Sequence, residues 1–134
     1  MPLYLQQDYG VTRYGNYPLR TYGCGITSLA MLSSYMTDTE LTPPTLCARY
    51  GKYCHSNGTD AMIFKYEPPV LGFYLKKQTY QPNEAKQALE DGYVVVQLPR
   101  HHTPVEVVTH MGIGDGKEAI AFLRDESGGK IYVY

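Results

Sequence analysis

The chain has 134 residues, 43% of them hydrophobic and 19% charged, with a formal net charge of −1. That is one domain's worth of chain with enough apolar side chain to form a core. No run of about eighteen apolar residues exists to span a membrane, and the scattered basic residues argue against nucleic acid or an anionic membrane as partner. The opening MPLYLQQDYG has no basic patch followed by an apolar stretch, so no signal peptide is visible; the chain reads as cytoplasmic, or as secreted after such a segment is removed.

Residues 1–22 are rich in Tyr, Gly, Pro and Arg and show little periodicity, which predicts an irregular lead-in. After Gly25 the pattern changes. Ile26, Leu29, Ala30, Ser33 and Met36 follow helical spacing, and no Gly or Pro interrupts Ile26 to Leu41, which predicts an amphipathic helix there. LTPPTLCARYG predicts a second helix with Thr42 as N-cap, Pro43 at the first position and Gly51 as the stop. SNGTDAMIFKYEPP predicts a turn at Asn57-Gly58, a Thr59 cap, a short helix and a proline stop, and PNEAKQALEDG a further helix ended by Gly92.

Beyond Gly92 the character is β. YVVVQLP suits a central strand, VEVVTHMGI is another strand, GDGKE a hairpin turn, AIAFLRD a returning strand, ESGGK a turn and IYVY a closing strand. The expected fold is a single α+β domain over 1–134, with a helical N-terminal half against a small antiparallel sheet from the C-terminal half.

Cys24 stands between two glycines at the mouth of the first long helix. A thiolate there sees unpaired backbone N–H groups and the positive end of the helix dipole, which lower a thiol pKa from about 8.5. The same N–H groups suit an oxyanion, and flanking glycines would leave the approach to sulfur open. The competing reading is a small buried residue at a tight turn. Cys47 and Cys54 pair in an oxidising compartment or are two ordinary buried thiols, the second being favoured. With an odd number of cysteines, at least one thiol is free in the monomer.

A cysteine nucleophile needs a histidine to take its proton and a group to orient that histidine. His55 lies in a polar turn with no obvious framing, His101 and His102 lie in the PRHHTP loop, and His110 alone falls within a strand pattern that would hold it rigidly. Asp125 is the candidate orienter. A tight Asp115-Gly116 turn, however, places Ala121 rather than Asp125 opposite His110, so Asp125 reaches it only across a wider loop or a bulge. The competing readings are a core histidine and a solvated carboxylate beside Arg124.

These residues resemble the papain-like cysteine peptidases, in the branch related to bacteriocin-leader-processing peptidases. YLQQDYG looks like that family's Gln-x-Asp segment, GCGITSLAML like its nucleophile motif, SNGTDAMIF like a Gly-Thr segment after the second helix, and VTHMGI with AFLRD like its histidine and aspartate strands. The resemblance implies a papain-like fold with Cys24 as nucleophile, His110 as base, Asp125 as its orienter and Gln6 in the oxyanion hole, with Gln7 the close competitor for that role. It implies a peptide or protein substrate, an acyl-enzyme, and no metal or organic cofactor. Thr109 stands where the family usually has glycine, and Glu126-Ser127 where proline usually follows the aspartate. Gly23 in place of Asp before the cysteine fits the stand-alone branch. PRHHTP is either a substrate-contacting loop or an exposed one.

Two other classes compete. Cys47, Cys54, His55 and the His101-His102 pair are conceivable metal ligands, but no Cys-x-x-Cys or His-x-x-x-His spacing supports them. A non-catalytic peptide-binding or interaction module on the same fold would keep the pocket without turnover.

Overall fold

The computed structural model describes residues 4–56, 58–98, 112–115 and 130–134. The lead-in is more ordered than its composition predicts. A single 3-10 turn, Gln6–Asp8, is followed by two antiparallel two-residue strands, β1 (Arg13–Tyr14) and β2 (Tyr17–Pro18), and by a helical turn α1 (Leu19–Tyr22). Gly15 turns this hairpin with φ +59°, and a side chain there would stand 2.8 Å from the Gly51 carbonyl oxygen. Strands of two residues have no readable period, and the burial that fixes them (Tyr14 is fully buried) comes from distant parts of the chain.

The first long helix, α2, runs Cys24–Thr37. It starts two residues before Ile26 and stops short of Leu41. The Thr37 hydroxyl donates back to the Ser33 carbonyl and Asp38 turns left-handed at φ 51°. Every residue from Cys24 to Ser34 is buried, so α2 is a core helix rather than an amphipathic one. Leu41 lies beyond it: its amide donates to the Ser34 hydroxyl, which donates to the Leu41 carbonyl, both at 3.0 Å.

Helix α3 (Pro43–Tyr50) forms as its caps predict, with Thr42 Oγ1 accepting from the Thr45 amide; past Gly51 it tightens into a 3-10 turn, Gly51–Tyr53. Strands β3 (Cys54–His55) and β4 (Gly58–Thr59) pair as a hairpin, Cys54 with Thr59 and His55 with Gly58; Asn57 lies outside the described residues. Thr59 therefore does not cap the next helix, α4 (Ile63–Tyr66); Asp60 Oδ1 takes the Met62 amide there instead. Pro68 does not only end α4. It opens α5 (Pro68–Leu71), where a missing N–H costs nothing in the first turn.

Strand β5 (Lys77–Thr79), which has no clear sequence signal, precedes helix α6 (Pro82–Glu90), and Gly92 follows it at φ +91°. The remaining strands are β6 (Val94–Leu98), β7 (Gly112–Asp115) and β8 (Lys130–Val133). The antiparallel order is β5-β8-β6-β7, so β6 is internal, as its apolar run predicts. Asp115 pairs with Val94, so β7 extends into the segment expected to turn. Residues 105–111 of the expected strand VEVVTHMGI, the returning strand AIAFLRD and residues 126–129 of the ESGGK turn lie outside the described residues, while Lys130 already belongs to β8.

The sheet is covered on both faces. Val94, Val96, Leu98, Tyr132 and Tyr134 pack into the main core with α2, α3 and α4, while Val95, Ile131 and Val133 pack with Ala85, Ala88 and Leu89 of α6. Two-sided burial is why YVVVQLP reads as a continuous apolar run instead of an alternation. The α+β expectation of helices from the N-terminal half against a C-terminal antiparallel sheet holds, with α6 added behind. No helix among the described residues is long and apolar enough to cross a membrane.

Val96→Ala, at a fully buried position in β6, should lower unfolding free energy by about 2 to 3 kcal/mol in urea titration. A second expectation concerns alkali. Burial pushes the Cys47 thiol up to about 12, with the nearby Cys54 adding to the shift, and burial pushes Tyr132 up to about 12. The folded chain holds these protons more tightly than the unfolded one, whose thiols ionise near 9.0. This stability is complete below the unfolded value and is lost as pH rises through the folded one. Urea midpoints should therefore fall above about pH 9, and less steeply in Cys47→Ala.

Candidate active site

Cys24 is the first residue of α2, with Gly23 as its N-cap. Its amide and that of Gly25 have no intrahelical acceptor, as at any helix start. The side chain belongs to the main core and is 3% exposed. Burial pushes its thiol up to about 12, and among the described residues nothing else moves it. The dipole at the start of a 14-residue helix acts in the opposite sense, but its worth of about 0.3 to 2 kcal/mol is smaller than the effect of full burial.

The flanking glycines do not serve the purpose that the sequence suggests. A Cβ on Gly23 would stand 2.5 Å from the Leu19 carbonyl oxygen and collide with the Leu19 side chain. A Cβ on Gly25 would stand 2.5 Å from Thr59 Cβ. Both are glycine because another element presses on the backbone, not because the sulfur needs an open approach. Thr59 Oγ1 also accepts the Ile26 amide at 3.1 Å, so the hairpin β3–β4 caps the helix that carries Cys24.

Gln6 is fully buried in the 3-10 turn, and its Nε2 donates to the Arg20 carbonyl at 2.9 Å, whereas Gln7 is exposed. Of the two glutamines, Gln6 is the one tied to the segment leading into Cys24. Beyond that bond one Nε2 hydrogen remains, and among the described residues the buried Oε1 has no hydrogen-bond partner.

His110 and Asp125 lie outside the described residues, as do His101, His102 and the whole PRHHTP loop. Among the described residues the histidine with a carboxylate partner is His55, whose Nε2 stands 3.3 Å from Asp60 Oδ2. Nothing adjacent to His55 in the chain frames it. The hairpin supplies it, since pairing Cys54 with Thr59 brings positions 55 and 60 together. The Met62 amide, and after it His55, hold the Asp60 carboxyl below its ordinary value. Both side chains are substantially exposed, and this pair stands at the surface, not in a cavity.

Cys24, Cys47 and Cys54 are all free thiols, so the 47–54 pair is not bonded here. Among the described residues no group of three or more His, Cys, Asp or Glu side chains is placed to hold a metal ion.

An alanine in place of a helical glycine normally stabilises by about 0.5 to 1 kcal/mol. Gly25→Ala should do the reverse, lowering stability by about 1 to 3 kcal/mol through overpacking against Thr59. Thr59→Gly should recover part of that loss, so thermal denaturation of the four-member cycle should be non-additive. No protein-family model, curated protein or solved structure matches this chain.

Proposed function

We propose that the chain is a cysteine-type hydrolase of papain-like fold that cleaves a peptide or other amide bond. The observation that carries the reading is the placement of Cys24 as the first residue of a buried helix packed on an antiparallel sheet. Gln6 is fixed to a carbonyl four residues upstream of that cysteine. A helix start supplies N–H groups where an oxyanion develops, and a glutamine amide adds a second donor.

In this mechanism His110, held by Asp125, takes the Cys24 proton. The thiolate attacks the acyl carbon, and Gln6 Nε2 and the Cys24 amide receive the oxyanion. His110 then protonates the leaving amine, and water attacks the thioester, releasing the acyl group as a carboxylic acid and restoring the Cys24 thiol. Another acceptor in place of water makes the same site an acyl transferase. No metal or organic cofactor takes part. The upward push of burial on Cys24 defines what His110 must supply: a cation beside the sulfur large enough to offset desolvation.

That same burial favours a second reading, a peptide-binding module on this fold with a structural Cys24. The two part on reactivity. Alkylation of Cys24 against pH, followed by peptide mapping, should in the hydrolase show reaction well below about pH 8, and His110→Ala should move the profile upward. Peptide hydrolysis should vanish in Cys24→Ala. A Cys24 that alkylates only on unfolding would overturn the hydrolase reading and leave the binding module.

A further inference from the structure

We infer that Thr59 is the positioning residue for Cys24, acting through the first turn of α2. Three contacts converge on it. Its hydroxyl oxygen accepts the Ile26 amide at 3.1 Å. Its Cβ, Oγ1 and Cγ2 stand 2.5, 2.8 and 3.0 Å from the place a Gly25 Cβ would occupy, so threonine fills the slot that glycine leaves. Its own strand is fixed from behind, by pairing with Cys54 and by the Asp60 amide donating to the Tyr53 carbonyl at 2.8 Å.

The physical consequence follows from where helices are weakest. The first turn has no intrahelical acceptors for its amides and frays first. A cap normally comes from the residue just before the helix, but Gly23 has no side chain to give. Thr59 supplies that cap from 33 residues away, at the third helical residue. Gly23 and Gly25 would otherwise let their own φ and ψ wander on each side of Cys24. Locked between Leu19 and Thr59, the Gly-Cys-Gly segment has one conformation, and the sulfur and the Cys24 amide keep one relative geometry. The catalytic use of that geometry rests on the hydrolase reading; the positioning itself does not.

The test uses the full chain with Thr59→Val, which keeps the shape and removes the acceptor, and Thr59→Ser, which keeps the acceptor and removes the methyl. Cys24 alkylation is followed by peptide mapping across pH, with Tm measured on the same samples. Thr59→Val should shift the alkylation midpoint by about one pH unit toward that of Cys24 in the unfolded chain, about tenfold in rate at fixed pH. Thr59→Ser should keep the parent midpoint even where its Tm is lower. A Thr59→Val midpoint that coincides with the parent's overturns the inference, and so does a Thr59→Ser midpoint that moves as far as valine's. Where Thr59→Val fails to fold, a Thr59→Ser midpoint displaced by about one pH unit from the parent's overturns the inference, and one that coincides with the parent's supports it. Turnover of a peptide library by the parent is measured alongside. Its absence would overturn the hydrolase reading and leave the alkylation result to judge Thr59.

Discussion

The burial of α2 on every face from Cys24 to Ser34 is the constraint on which the other elements depend. A helix placed in a core brings its polar ends and side chains with it, and each needs a partner once water is gone. Thr59 meets that need at the N-terminal end and Ser34 near the C-terminal end, where it holds the Leu41 backbone through two hydrogen bonds. The β3–β4 hairpin and the connection to α3 are therefore fixed by α2 as much as by their own turns. Such buried polar contacts contribute only about 1 kcal/mol each when made, but leaving them unmade costs more. They specify the arrangement more than they strengthen it.

The second organising fact is a sheet with two buried faces. Successive residues of β6 point alternately to the main core and to α6, so Val94, Val96 and Leu98 pack with Tyr132 and Tyr134 while Val95 packs with Ala88 and Leu89. Tyr134 suits the first of these environments because its ring fills volume while its hydroxyl reaches a backbone group. Tyr134 donates to the Phe64 carbonyl, tying the last residue of the chain to α4. The stacked pair of Phe64 and Tyr132 lies beside that bond.

Cys24 belongs to the main core, and its chemistry is a contest between opposing effects. Burial holds the proton on sulfur, while the helix start and a neighbouring imidazolium would draw it off. Desolvation outweighs the helix start for a thiol 3% exposed, so an active Cys24 depends on a paired histidine. In the hydrolase reading that is the task of His110; in the binding-module reading nothing performs it, and the thiol is packing.

The sequence by itself determined those features that rest on local chemistry. Thr42 and Pro43 start α3 because a hydroxyl and a fixed φ are what a first turn needs. PNEAKQALEDG stops at Gly92 and YVVVQLP lies inside the sheet for equally local reasons. Cys24 at a helix start was legible too, since the Gly-Cys-Gly step and the apolar spacing adjoin. Tertiary structure alone decided the rest. It made an ordered hairpin of the lead-in around a buried Tyr14, turned Thr59 from a local cap into the cap of α2, and gave His55 a carboxylate in Asp60. It also gave the glycines beside Cys24 their reason, which is the approach of Leu19 and Thr59. These outcomes depend on contacts between residues far apart in the chain, and local propensity carries no record of which distant atom will press on a given Cα.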